Sequence, residues 1–315
     1  MSDASPEAAR DSRIAFAPNL TSDIVLDFAH SPVAVGSGLV ILIFVLGAVL
    51  APWLAPHDPF DLASIDLMNS FKPPFFMQDG DFAFPLGTDH QGRDVLSGIM
   101  YGARISLEVG VSAILFATAL GVSIGLSAGY MGGLMDAVLM RLADVQLSFP
   151  AILVALLVDG VVSATLPGSL HEQFQIYVLI FAIGISKSPQ FARIVRGSTL
   201  VERGREYVMA ARVIGLSSWR IVLTHILPNV LGPVLIIGTL NLGFAIVSEA
   251  TLSFLGVGLP PTEPSLGTLI RIGNDYLFSG EWWMTIFPGL ALAMMLMSMN
   301  MLGDWLRDAL NPRLR

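Results

Sequence analysis

The chain has 315 residues, a hydrophobic fraction of 54%, a charged fraction of 13% and a formal net charge of −8. Soluble domains carry about 25% charged residues, so this chain cannot coat a globular surface with charge, and its apolar richness excludes intrinsic disorder. Without a cysteine it has no disulfide framework, thiolate metal site or thiol nucleophile. The composition is that of an all-α polytopic membrane protein, in which glycine lets helix backbones approach closely.

In chain order, residues 1–30 read as a mobile tail. Five acids and only Arg10 and Arg13 precede the first apolar stretch, which lacks the flanks of a cleaved leader. A membrane-crossing helix takes about 20 mostly apolar residues. Val33–Leu54 satisfies that with no charge. Ile105–Gly129 is a second span, with Glu108 one turn inside it and a ladder of Gly121, Gly125 and Gly129 on one face. Asp136–Val158 is a third, in which Arg141 and Asp144 are spaced to pair with each other. A short fourth span runs from Phe174 to Ser186, or on to Phe191. Asn229–Ala250 is the fifth, closed by Glu249, and Trp283–Leu302 the sixth. Near the interfaces, snorkelling or capping accounts for the ionisable residues of these spans.

Charge in the loops sets orientation. Lys187–His225 holds seven basic residues against Glu202 and Glu206, whereas Ala55–Ala103 holds seven aspartates against Lys72 and Arg93. The basic loop is therefore expected in the cytoplasm and the acidic loop outside. Six spans then put both termini in the cytoplasm, in agreement with Arg307, Arg313 and Arg315. The expected organisation is an N-terminal tail (1–30), the first span with its outer loop (31–103), a core helical domain (104–304) containing the basic loop (187–228), and a C-terminal tail (305–315).

The chain has no phosphate-binding loop of its own, since neither Lys72 nor Lys187 follows a glycine. The five histidines, at 30, 57, 90, 171 and 225, stand at no ligand spacing. Methionines 294, 295, 297, 299 and 301 read as packing filler in an apolar span rather than a soft-metal site. No catalytic, cofactor or metal residue is therefore expected.

The informative segment is Glu206–Asn229. Tyr207, Val208, Ala211 and Ile214 fall on one face of a short helix. Gly215 suits the left-handed residue that ends it, Ser217 or Ser218 suits the cap of a second helix, and Pro228 marks the start of the fifth span. Ala210 and Ala211 leave room for another protein to approach. Helix geometry alone leaves open an ordinary amphipathic connector lying on lipid headgroups.

The spacing of Ala210-Ala211, Gly215 and Leu227-Pro228 resembles the EAA loop of permease subunits of ABC importers, with Met209 where the leading Glu is usual and Glu206 one turn earlier. His225-Ile-Leu-Pro-Asn229 resembles the peptide/nickel branch of those permeases. So do Pro85–Ser97 with Tyr101–Ser106, Glu249–Gly256 with Pro260-Pro261 and Pro264-Ser265, and Leu302–Asp308 with Asn311–Leu314, where Asn311 replaces the usual Asp. Residues 30–315 together resemble the C-type permease subunit of dipeptide, oligopeptide or nickel importers.

The resemblance implies a type I ABC importer permease fold, a place in the bacterial inner membrane and no chemistry in the chain itself. It implies as partners a sister permease subunit forming a heterodimer, two ATP-binding subunits, an extracytoplasmic solute-binding protein and membrane lipid, but no nucleic acid. It also implies contact with an ATP-binding subunit through Glu206, Tyr207, Met209, Ala210, Ala211, Arg212, Gly215, Leu227 and Pro228. An ion-gradient-coupled secondary carrier is the competing class, and a membrane scaffold without transport a third.

Overall fold

The computed structural model describes residues 26–59, 65–165, 168–259 and 264–309, with side chains at 168–173 left aside. Most of the N-terminal tail, Pro260-Pro261 and Asn311–Leu314 lie outside the described residues. The described chain is helical apart from its loops, of which residues 65–94 are the longest. Its elements are α1 (Pro32–Val49), α2 (Ala51–Leu54), α3 (Val95–Met131), α4 (Gly133–Leu147), α5 (Ala151–Thr165), α6 (Gly168–Arg203), α7 (Glu206–Val213), α8 (Ser218–Ile221), α9 (Leu227–Phe254), α10 (Leu266–Tyr276) and α11 (Trp283–Ala309). Five helices are long and apolar enough to cross a membrane. A sixth crossing follows if α4 and α5, bent by 95° at their junction, count as one span.

Several spans differ from their sequence boundaries. The first ends at Val49, and the expected continuation to Leu54 is the separate turn α2. The second starts ten residues earlier than Ile105, at Val95, because the Asp94 carboxylate accepts from the Ser97 N–H at 2.7 Å and caps the helix there. Glu108 is consequently several turns inside and exposed. The third span is not continuous: Pro150 ends α4, since the residue before a proline avoids helical geometry, and the chain turns sharply. Asp144 meets Arg193 at 3.9 Å rather than Arg141. The fourth span is far longer than Phe174–Ser186, running to Arg203, so half of the expected basic loop is membrane helix.

The central contact joins α3 to α6 along the glycine ladder. A Cβ on Gly125 would lie 2.6 Å from the Ala192 carbonyl oxygen and 2.6 Å from Val195 Cβ; one on Gly129 would lie 2.7 Å from Thr199 Cβ. Only glycine permits this approach, and α3 stays small along the same row before the ladder, where Ala113 and Ala117 are fully buried. Because little hydrophobic force acts between helices in lipid, such van der Waals packing is what holds the pair together. Arg196 fastens α4 to the same helix with two bonds to Asp136, at 2.6 and 2.7 Å.

On the far side of α3 lie α9, α11 and α1. Gly303 packs beside Leu240 and Thr239, so α11 runs antiparallel to α9. Phe28 meets Trp305 edge-on at 5.1 Å, bringing the two ends of the described chain together. Of the methionine run, Met295 and Met299 fill the core while Met294 and Met297 face outward, as packing filler does. Most of α1 is exposed apolar surface, including Leu39, Leu42 and Ile43, which suits a peripheral helix bathed in lipid.

One end of the bundle is closed by residues 65–94 and α10. Trp283 Nε1 donates to the Thr88 carbonyl at 3.1 Å, and the Lys72 N–H donates to Thr88 Oγ1 at 2.8 Å. Gly87, at φ +81°, makes the turn beneath them, where a Cβ would collide with the Lys72 carbonyl at 2.6 Å. Glu249 belongs to this end and is fully buried, contrary to an interfacial or snorkelling role. Its carboxylate accepts from Ser106 Oγ at 2.8 Å and Ser253 Oγ at 2.7 Å, and Ser106 Oγ accepts from the Leu266 N–H at 3.3 Å. One buried carboxyl thus ties α3, α9 and α10 together, which is the condition under which such a group is tolerated in a helical core.

Candidate functional site

At the opposite end, α6 leaves the bundle and the chain turns through α7, α8 and a π-helical turn at Val222–Ile226 into α9. Arg203 sets the start of this segment. Its guanidinium donates to the Gly129 and Tyr130 carbonyls at 3.1 and 3.0 Å, satisfying the orphan acceptors at the end of α3. Helix α7 then begins with Arg205 in extended geometry and Glu206 in its first turn, where a carboxylate favours the helix dipole.

Two apolar side chains anchor α7 by burial. Val208 and Ala211 are buried, while Tyr207 and Ile214, expected on the same face, are not. The reason is the shortness of the helix: with eight residues, only the 208 and 211 positions point back at the bundle, and Ile214 already lies beyond its end. Tyr207 is held by polar contacts instead. Its hydroxyl donates to Glu202 and accepts from Asn229 Nδ2 at 3.2 Å, and its ring stacks on His225. Partial removal from water, then the Glu202 carboxylate, raises the Tyr207 phenol above its ordinary pKa, so it stays a donor. Arg212 lies over the Tyr130 ring at 5.3 Å.

The helix ends as the sequence suggested. Gly215 has φ +81°; the Leu216 N–H donates to the Ala211 carbonyl at 3.1 Å and the Gly215 N–H to Arg212 at 3.0 Å. This pair of bonds is a Schellman termination. Ser217 takes the N-cap position of α8 without a side-chain capping bond, so backbone geometry rather than a serine hydroxyl starts that helix. Pro228 does not begin the next span; α8, the π-turn and α9 form one helical run from Ser218 to Phe254. Pro228 lacks an N–H, and the wider π-turn before it accommodates the missing bond.

The outward face of α7 carries Glu206, Met209, Ala210 and Val213, adjoined by Ile214 and Trp219. Val213 is 87% exposed, Ile214 74% and Trp219 72%. A helix anchored by buried contacts and terminated by a fixed turn thus presents exposed apolar residues towards its C-terminal end and one carboxylate, Glu206, at its N-terminal end. Leu227 and Pro228 lie behind it in the first turn of α9. Exposed apolar patches of this kind mark interaction sites. Among the described residues no group of three or more His, Cys, Asp or Glu side chains is placed to hold a metal ion.

A bundle of long apolar helices with a short exposed helix set at one end is the build of a multi-pass membrane protein. Residues 121–315 match the family model of the binding-protein-dependent transport system inner membrane component, and residues 19–74 that of the N-terminal TM domain of oligopeptide transport permease C. The chain is 34% identical over 298 residues to the di/tripeptide transport system permease protein DppC of Pseudomonas aeruginosa, covering 95% of this chain and 94% of that one. It is 40% identical over 279 residues to a putative peptide transport system permease protein of Brucella suis, covering 88% and 87%. A solved inward-facing structure of the MetNI methionine ABC transporter superposes with a TM-score of 0.51 at 20% identity, over 68% of this chain and 96% of that one; it shares the fold.

The chain therefore belongs to the binding-protein-dependent transport system inner membrane component family. It is a C-type permease subunit of an ABC-type importer, in the dipeptide/oligopeptide/nickel group, and a multi-pass inner-membrane protein.

Proposed function

We propose that this chain forms half of the pore of an ATP-driven peptide importer, paired with a sister permease and served by two ATP-binding subunits and an extracytoplasmic solute-binding protein. The names of its relatives support a di- or tripeptide as solute. The observation that supports the coupling role is the outward face of α7, whose exposed apolar residues follow Glu206 on a helix held by Val208, Ala211 and the Gly215 turn.

In this reading, closure of the ATP-binding dimer pushes on Glu206, Met209 and Ala210. The anchors Tyr207, Ala211, Arg212 and Gly215 keep α7 from yielding, and Leu227 and Pro228 pass the displacement to α9. Coupling requires the two pore states to differ in these docked contacts. The α7 end faces the cytoplasm, in accord with its basic residues; the termini lie on that side, and residues 65–94 face the solute-binding protein. In this reading the cytoplasmic coupling segment lies within 187–228, and its part outside the long helices is 204–217.

The test is uptake of radiolabelled dialanine by the reconstituted complex. Uptake is expected only with ATP and the ATP-binding subunits present. Uptake that persists without them and collapses with a protonophore would establish the carrier reading instead.

A further inference from the structure

Lys187 was expected in a cytoplasmic loop and lies instead in the middle of a membrane helix. Gly184 packs against Phe116, and Gly121 against Ser188 and Phe191. Lys187 is therefore level with the centre of the apolar stretch of α3, residues 105–129. It is about 20 Å from Phe174 and about 24 Å from Arg203 at the rise of an α-helix.

Its side chain is buried, and the ammonium rests 5.5 Å from the centroid of the Phe244 ring. No carboxylate lies within 4.0 Å of that ammonium among the described residues, whereas neighbouring Arg193 has Asp144. A cation at this depth cannot face lipid without a large cost; ionisable residues inside a membrane face a protein interior or a water-filled path.

Space that could hold such a path lies beside it. A cavity of about 700 Å³ between α6 and α9, closed at one side by Leu147, is lined by Lys187, Gln190, Arg193 and Asn241 with Phe244. The size is that of a small-solute site, and a few polar groups among apolar walls is the usual composition. Asn241 donates its amide N–H to the Ile237 carbonyl at 3.0 Å, which fixes the orientation of its side-chain carbonyl, an acceptor. The space is open to the outside rather than enclosed.

We infer that this cavity is a solute subsite on the translocation path, in which Lys187 receives the carboxylate of the passing molecule while Asn241 and Gln190 meet its amide groups. The inference rests on the peptide-importer reading and adds the group of the solute that the permease itself recognises. A cation-π contact holds the ammonium in place between passages without neutralising it, so the site binds an anion and releases it again, as conduction requires.

The test uses the complete complex in proteoliposomes with ATP inside, dialanine as probe, and the variants Lys187→Met, Lys187→Gln, Lys187→Arg and Lys187→Glu. Loss of a charged hydrogen-bond partner is worth about ten- to a hundredfold. Lys187→Met and Lys187→Gln are expected to lower dialanine uptake by that factor at an equal yield of assembled complex. Lys187→Arg should recover most of the rate and Lys187→Glu should abolish it. Wild-type uptake by Lys187→Met would overturn the inference. So would loss of the assembled complex in both neutral variants, which would make the lysine a structural residue. Failure of the peptide reading looks different: wild-type complex would ignore dialanine and accept another solute, and a carboxylate on that solute would still have to depend on Lys187.

Discussion

Replacing Gly215 with valine isolates one term in the account of α7. Gly215 sits at φ +81°, and a Cβ built there meets nothing within 4 Å. The substitution therefore introduces no clash, and its whole cost is backbone strain. A left-handed non-glycine residue costs about 1–2 kcal/mol, and β-branching places valine among the least tolerant. That energy corresponds to roughly a 5–30-fold shift between two states. What it weakens is the pair of bonds from Gly215 and Leu216 back to Arg212 and Ala211, and with them the angle at which α7 meets a partner. Gly215→Asn is the control, because asparagine occupies this position in some helix terminations. The assay is the fraction of ATP-binding subunits that co-purifies with membrane-inserted permease. Valine should reduce that fraction several-fold, with asparagine between valine and wild type. Equal co-purification by all three, at equal insertion, would refute the claim that the turn fixes the docking helix.

The other expectations address the bundle and its orientation. Gly125→Ala should destabilise the protein by about 1–3 kcal/mol, the usual cost of overpacking, because its Cβ would meet the Ala192 carbonyl at 2.6 Å. Gly197→Ala, which faces open space on the same helix pair, should not; melting of the detergent-solubilised protein compares them, and indistinguishable curves would contradict the ladder as the α3–α6 seam. Glu249→Ala strands the Ser106 and Ser253 hydroxyls and should cost at least about 1–3 kcal/mol. Glu249→Gln keeps an acceptor and should melt between it and wild type, an order whose reversal would dismiss the carboxyl as a tie. For orientation, a cysteine at exposed Met68 should react with an impermeant thiol reagent in intact cells, and one at Ser218 only after permeabilisation. The opposite pattern would invert the topology.

The sequence made the membrane class, the order of the crossings, the glycine ladder and the Gly215 turn legible, since each depends on local composition or on a single backbone conformation. It hid features that depend on distant partners. Glu249 reads as an interfacial acid until Ser106, on another helix, is seen to donate to it. Lys187 reads as a loop cation because charge ends an apolar window. In the structure α6 continues past it, the glycines of α3 hold the helix close, and Phe244 covers the ammonium. The bend after Leu147 had a local signal in Pro150 that the surrounding apolar run masked. On α7, periodicity found Val208 and Ala211 but overextended the buried face to Tyr207 and Ile214, because so short a helix has only one inward row. The exposed face, Met209 with Val213, carries no periodic signature apart from its failure to be buried.

The most direct measurement of the central claim is co-purification of the ATP-binding subunits with Ala210→Glu permease, alongside its ATP-driven uptake. Ala210 lies exposed on the outward face of α7 and away from the anchors Val208 and Ala211, so a glutamate there leaves the permease fold intact while placing bulk and charge where a partner must approach. The account predicts normal membrane insertion, loss of the ATP-binding subunits and loss of uptake together. Normal insertion with undiminished co-purification and uptake would show that α7 is not the element through which ATP drives this permease.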